Sequence, residues 1–280
     1  MNSNIRLEAK RLLSHNTSRL FFISFFSFVF RYLSILCCGY GVFLIYNSSL
    51  LSFISKEYGY TLAYFLASLI SVTLSFLTLS FVSSVKMGEA FAYFTLANGG
   101  NGRFFHLYKF LTPQRSIKAL LFYITITTKK LLWCIFFLFP ALICVVCGYY
   151  LYQGRIYVNE INLIISTGFS IILAIALVMV RICSLRYSAA PYYLCLNPNL
   201  KITDSIKKSI KFTDGFLSEG VLLEYSLLGW LLSCIFVLPL FYVVPYAKLV
   251  RSVYVTDVVF SKASSKTKYP IIMSAYKSTP

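Results

Sequence analysis

The sequence predicts an all-α fold: a polytopic membrane protein built as a six-helix transmembrane bundle with interfacial helices on its cytoplasmic side. Hydrophobic residues make up 58% of the 280-residue chain and charged residues only 12%, whereas soluble domains carry about 25% charged residues. Six apolar stretches are long enough to cross a bilayer, which takes roughly 20 helical residues. The lysines and arginines cluster in alternate connections between these stretches, as the positive-inside rule requires.

The predicted spans divide the chain into three parts. Residues 1–31 are expected to form a cytoplasmic or interfacial N-terminal helix, and residues 261–280 a disordered basic tail. The membrane domain, 32–260, contains the six spans. The last two spans come from splitting the apolar run 216–260, which is too long for one crossing even with tilt. The spans are expected at about 32–54, 61–85, 131–152, 161–180, 216–236 and 238–260.

The first boundary depends on where Arg31 lies. One interpretation is a longer span from Leu20 to Tyr46 with Arg31 inside it. Burying an arginine at the bilayer centre costs about 2.5–3.5 kcal/mol on insertion scales, and the run from Leu33 to Ile54 provides a full span without it. The sequence therefore favours the shorter span, with the position of Arg31 left open.

The distribution of basic residues predicts the orientation and accounts for the net charge of +17. With six spans and the N-terminus inside, 24 of the 26 lysines and arginines fall in cytoplasmic segments, and Lys56 and Arg155 fall outside. Five spans would leave the lysine-rich tail 261–280 outside, against this bias, so six are favoured. Both termini are then cytoplasmic.

The same distribution predicts the partners. Basic segments beside a bilayer attract anionic lipid, which explains the charge without a nucleic acid. We expect the partners to be the lipid bilayer, anionic lipid headgroups at the cytoplasmic face and a protein of unknown identity. No nucleic-acid partner is expected.

Catalytic chemistry is not predicted. An enzyme needs a nucleophile, a base or metal ligands within mutual reach, and the two histidines, His15 and His106, fall in predicted cytoplasmic segments. Cys144 and Cys147 have the spacing of a redox or metal pair, but no second pair accompanies them. Because metal-binding and phosphate-loop motifs are absent too, we expect no enzyme activity and no cofactor.

Two carboxylates and two cations stand out in the last two predicted spans: Glu219 and Glu224 in the fifth, Lys248 and Arg251 in the sixth. If these spans form a hairpin turning near 237–238, Glu224 and Arg251 lie at one depth, about 20 Å below the outer end at 1.5 Å per residue. An ionisable residue at that depth is rare unless it is paired or faces a cavity. The sequence predicts a Glu224–Arg251 pair, with Lys248 as the alternative partner. The pair is either a structural clamp that holds the last two spans together or a polar site for an anionic headgroup or a coupling proton.

Several short motifs follow one another in the second half of the chain. They are Tyr187-Ser188, Asn197-Pro198, Ser209 with Gly215, Ser226-Leu227-Leu228-Gly229-Trp230, and Pro245-Tyr246 with Tyr254. In this order and spacing they resemble the bacterial integral-membrane family defined by domain of unknown function 975. Two departures are Leu196, where the family usually has an acid before Asn-Pro, and Asp214, where it often has a lysine. The resemblance implies a six-helix bacterial membrane protein and supplies no activity.

Two classes of function are compatible with these features. The favoured one is a non-enzymatic accessory or lipid-binding component of the bacterial cytoplasmic membrane, which uses its basic connectors. The alternative is a transporter or permease for a small molecule or lipid, which would use the Glu224 region and serine-rich helix faces. Because inverted repeats and broken helices are not evident in the sequence, the first class is preferred.

Overall fold

The computed structural model describes residues 2–48, 53–56, 59–153, 159–232 and 237–260, and every element within these ranges is helical. This confirms the all-α class. The predicted tail 261–280 and the side chains of Cys144 and Cys147 lie outside the described part. The helices are α1 (Asn2–Tyr46), α2 (Tyr60–Ala97), α3 (Pro113–Gln153), α4 (Asn159–Leu185), α5 (Ala190–Leu196), α6 (Ile202–Thr213), α7 (Leu217–Leu232) and α8 (Val237–Tyr254).

Four stretches within the described residues are long and apolar enough to cross a membrane. This makes the chain a membrane protein by length and composition. Helix α7 lies within the fifth predicted span, and α8 begins one residue before the sixth. The four stretches are Asn4–Tyr46, Tyr60–Ala97, Pro113–Pro140 and Thr167–Leu196.

Helix α1 passes through Arg31 without a break, so the boundary predicted at residue 31 does not coincide with an end of secondary structure. The irregular residue is Asn16, whose φ of −130° and ψ of 22° are not helical. Its side-chain amide donates a hydrogen bond to the carbonyl of Leu12 at 3.2 Å. The side chain of Arg31 is paired with a carboxylate on α2, as described below.

Helix α2 continues past the predicted span end at residue 85, and its last turns are the most buried part of the described chain. Residues Val85, Met87 and Phe91 to Leu96 are all buried. Ala92 to Phe94 and Leu96 form one cluster with the N-terminal half of α1 and with the C-terminal half of α8. Met87 and Phe91 belong to a second cluster, which includes Phe122 of α3. The predicted connection 86–130 therefore begins as core helix, because the apolar pattern of α2 does not stop where the predicted span does.

A 3₁₀ turn, Phe104–Tyr108, lies on this buried end of α2. Gly88 permits the contact, since a Cβ atom there would stand 2.4 Å from the carbonyl oxygen of Leu107 and 2.7 Å from that of His106. The Nζ atom of Lys109 lies 3.6 Å above the centre of the Phe91 ring. The turn is thus seated directly on the helix backbone.

We predict that Gly88→Ala destabilises the protein by about 1–3 kcal/mol, the usual cost of overpacking, because the opposing atoms are backbone and cannot rotate away. Thermal unfolding in detergent measures it as a lowered Tm. Gly39→Ala on α1 is the matched control, since nothing lies within 4 Å of its added Cβ. Equal melting temperatures for the two variants would contradict the close approach.

Candidate functional site

Glu224 on α7 accepts hydrogen bonds from two arginines. Arg251 on α8 binds it in a bidentate manner, with Nε 2.6 Å from Oε1 and Nη2 2.8 Å from Oε2. Arg181, near the end of α4, places its Nη2 2.6 Å from the same Oε2. Bidentate charge-assisted hydrogen bonds are among the strongest in proteins. The structure therefore brings Glu224 and Arg251 together and adds Arg181, which the sequence pattern did not indicate.

The other two predicted site residues lie elsewhere. Lys248 is directed to Glu89 on α2, where its Nζ donates to Oε1. Glu219 is in the first turn of α7, and its separation of five residues from Glu224 corresponds to a net rotation of about 140° around the helix. The Glu219 side chain therefore points to another face of α7. It lies within electrostatic range of Tyr254.

Glu89 forms a second and more deeply buried cluster, since only 4% of the residue is exposed. Ser27 Oγ donates to Oε2 at 3.0 Å, and Ser24 Oγ lies 3.4 Å from Oε1. The Arg31 Nη2 atom stands 3.5 Å from Oε2, and Lys248 contacts Oε1. Two cations and two hydroxyls thus surround one carboxylate, and they join α1, α2 and α8.

Sequence reasoning missed Glu89 because the second span was ended at residue 85, which assigned it to a solvated connection. Two signals pointed to it. Glu89 is the sole acidic residue in 86–130, and the apolar residues 90–94 follow it directly. An ionisable residue in an apolar helical run is rare unless it is paired, so these signals predict a cationic partner for Glu89.

A cavity of about 230 Å³ lies beside Glu224. It is bounded by helices α2 to α8 and by the segment that joins α4 to α5. Its wall contains four cationic side chains and one carboxylate: Lys86, Lys130, Arg181, Arg251 and Glu224. The other polar side chains of the wall are Tyr123, Ser184, Tyr187, Ser188, Tyr192, Thr213 and Tyr254.

The positive charge of this cavity is not balanced by the protein side chains described. Arg181 and Arg251 share the single charge of Glu224. Among the described residues, Lys86 and Lys130 have no carboxylate within salt-bridge distance. Lys86 Nζ lies 4.5 Å above the Tyr123 ring, an attraction that leaves its charge in place. The wall therefore carries three more positive charges than negative ones.

Two hydroxyl groups of the wall are buried without a hydrogen-bond partner in the described part of the chain. They are Ser188 Oγ and Thr213 Oγ1. Thr213, the last residue of α6, is only 1% exposed. A buried polar group left unpaired costs about 1–3 kcal/mol, so both hydroxyls have donor capacity that a ligand in the cavity can use.

The described residues contain no group of three or more His, Cys, Asp or Glu side chains that could hold a metal ion. His106 has a local role in its 3₁₀ turn, where Nδ1 accepts the backbone N–H of Arg103 at 3.3 Å. Burial, together with the charges of Lys109 and Arg103, lowers the pKa of His106. The imidazole ring is therefore neutral, and its hydrogen bond stabilises the 3₁₀ turn.

Comparison with known proteins confirms the family resemblance. A family model described as a protein of unknown function (DUF975) matches residues 1–260, and so includes both clusters and the cavity. No curated protein and no solved structure matches the chain.

Glu89→Gln is predicted to destabilise the protein by roughly 3 kcal/mol, because it leaves Arg31 and Lys248 without a counter-charge. This is the lower end of the usual cost of breaking a buried pair, since the two cations are 24% and 29% exposed. Thermal unfolding in detergent measures the loss. A second substitution, Lys248→Met, should recover part of it by removing one uncompensated charge.

Asp214→Asn serves as the control for this prediction. Asp214 pairs with Arg186 at 2.9 Å, and both side chains are well exposed, at 43% and 37%. An exposed pair contributes at most about 1 kcal/mol, so the control should unfold close to the wild type. A Glu89→Gln variant as stable as Asp214→Asn would show that the buried cluster does not hold the helices together.

Proposed function

Since the chain belongs to the family described as protein of unknown function (DUF975), which supplies no activity, we propose a function from the site itself. The protein is a non-enzymatic accessory or lipid-binding component of the bacterial cytoplasmic membrane, and it binds anionic lipid headgroups. One observation carries this proposal: a cavity whose wall has four cations and a single carboxylate. Basic pockets between membrane helices bind anionic headgroups in this way.

The proposed topology has six crossings with both termini in the cytoplasm. In such a chain, the end of each even span and the start of each odd span lie on the inner side. The cavity wall comes from these ends: Lys86 follows the second predicted span, Lys130 precedes the third and Arg181 follows the fourth. Glu224 and Arg251 belong to the inner halves of the last two. Their convergence supports the proposal of six crossings with the cavity near the inner headgroups.

The alternative, a transporter or permease, has less support. The hydroxyls along α2 that would line a polar path instead donate to carbonyls of their own helix, at 2.7–2.9 Å. Such local bonds satisfy the hydroxyls within one helix. The side chains concerned are Ser68, Ser71, Ser75 and Thr78.

The proposal involves no catalysis and no cofactor. Glu89 and Glu224, the carboxylates of the two clusters, are each held by two cations. These contacts support a structural role for both carboxylates rather than a role as a general base. In an accessory role, the remaining basic surface on the cytoplasmic side would engage anionic lipid or a protein partner.

We predict that the purified protein retains an anionic lipid through Lys86 and Lys130. Native mass spectrometry after exchange into equal amounts of phosphatidylglycerol and phosphatidylcholine should show selective retention of phosphatidylglycerol. The variant Lys86→Gln/Lys130→Gln should lose about tenfold in retention, because charge-assisted contacts contribute about 1.5–3 kcal/mol. Neither lysine has a described ion pair to break, so the variant should fold.

The matched control is Lys207→Gln/Lys208→Gln on α6. It removes the same charge from exposed lysines outside the cavity, and it should retain lipid like the wild type. Equal losses in both variants would mean that diffuse surface charge, not the cavity, attracts the lipid. Absence of bound anionic lipid in the wild type would refute the proposed function.

The topology predicts opposite labelling of two single cysteines placed in a cysteine-free background. Lys56→Cys should react with a membrane-impermeant maleimide on intact cells. Ser265→Cys should react only after permeabilisation, because the tail is cytoplasmic when six spans are present. Labelling of Ser265→Cys on intact cells would indicate an odd number of crossings.

A further inference from the structure

We propose that the cavity takes a phosphomonoester, a terminal phosphate with three unesterified oxygens, in preference to a phosphodiester. The inference rests on the proposed function and specifies the class of headgroup that the cavity selects. It depends on three features of the wall: its charge, its unpaired hydroxyls and the way Glu224 holds the two arginines.

The first feature is the charge excess. With four cations and one carboxylate, the wall has three uncompensated positive charges. A phosphodiester brings one negative charge, whereas a phosphomonoester brings about 1.5 to 2 at neutral pH. Partly buried charge is costly unless it is paired. A phosphomonoester therefore neutralises the cavity more completely.

The second feature is the set of donors left without a protein acceptor. Lys86 and Lys130 have no described carboxylate partner, and the hydroxyls of Ser188 and Thr213 are buried and unpaired. These ammonium and hydroxyl groups can all donate hydrogen bonds. A phosphomonoester offers them three strong acceptor oxygens, one more than a phosphodiester. A requirement for basic residues on the inner side explains the lysines but not the two buried hydroxyls.

The third feature is the arrangement of the arginines. Glu224 engages Arg251 through Nε and Nη2 and Arg181 through Nη2. A guanidinium group carries five N–H donors, so each arginine keeps donors beyond those that Glu224 occupies. Glu224 is therefore a positioning residue that holds both guanidinium groups at the cavity wall.

The volume fits this assignment. A water molecule occupies about 30 Å³ in the liquid, so a cavity of about 230 Å³ holds a phosphate group together with several waters. The wall also includes apolar side chains, among them Phe122, Ile126 and Leu223. The phosphomonoester can belong to a lipid, such as phosphatidate, or to a soluble molecule, such as glycerol 3-phosphate.

The test compares three ligands by titration calorimetry of the full-length protein in detergent. Dioctanoyl phosphatidate should bind at least about tenfold more tightly than dioctanoyl phosphatidylglycerol, since it adds a charge-assisted contact. The second phosphate pKa is about 6, so phosphatidate affinity should rise between pH 5.5 and 7.5, while phosphatidylglycerol affinity should change little. Glycerol 3-phosphate reports the source: affinity equal to that of phosphatidate indicates a soluble ligand, and much weaker affinity indicates a lipid.

A variant pair tests the hydroxyls. Ser188→Ala/Thr213→Val removes two groups that have no described protein partner, so its Tm should match the wild type while its preference for phosphatidate falls about tenfold. Ser184→Ala is the control, because Ser184 also lines the cavity but its hydroxyl already donates to the carbonyl of Arg181 at 2.7 Å. The control should keep the full preference.

The outcomes separate the inference from the proposed function. Equal affinities for phosphatidate and phosphatidylglycerol would overturn the phosphomonoester assignment and leave anionic lipid binding intact. A preference that survives loss of both hydroxyls would overturn it as well. Failure of every anionic ligand to bind would remove the proposed function and this inference together.

Discussion

The pairing of buried carboxylates with cations from other helices is the constraint on which the rest of the structure depends. Glu89 and Glu224 each form salt bridges with two cationic side chains, because a carboxylate buried away from water is destabilising without a cationic partner. Helix α8 takes part in both clusters, with Lys248 towards α1 and α2 and Arg251 towards α4 and α7. The five helices are thereby joined at one end by charge, in addition to the apolar packing of α1, α2 and α8.

The cavity is where this pairing is incomplete. Lys86 and Lys130 add positive charge to a wall in which one carboxylate already serves two arginines. Lysine side chains near the end of a span can extend to the headgroups, so the charges of these two lysines can be solvated there without a ligand. The unpaired hydroxyls of Ser188 and Thr213 need a different reason, since water at the headgroups does not reach a buried oxygen. Under the phosphomonoester proposal, one ligand supplies both the counter-charge for the lysines and the acceptors for the hydroxyls.

The four predicted site residues show which side-chain contacts can be predicted from an amino-acid sequence. The contact between Glu224 and Arg251 follows from counting residues on either side of a turn, because depth along a helix is a linear function of residue number. The partner of Lys248 could not be found in this way, because Glu89 lies on α2, which is far from α8 in sequence. Arg181 is a similar case, since nothing in the α4 sequence says that α7 lies beside it.

The sequence by itself determined the helical membrane class, the approximate positions of the apolar helices and the asymmetry of charge, because composition, run length and charge are local properties of the chain. The tertiary structure decided that α2 continues through Ala97 into the core, that Gly88 seats the 3₁₀ turn and that four cations line one cavity. These depend on which helices are neighbours. Side-chain packing between segments distant in sequence determines which helices are neighbours. The residue pattern within one segment does not contain that information.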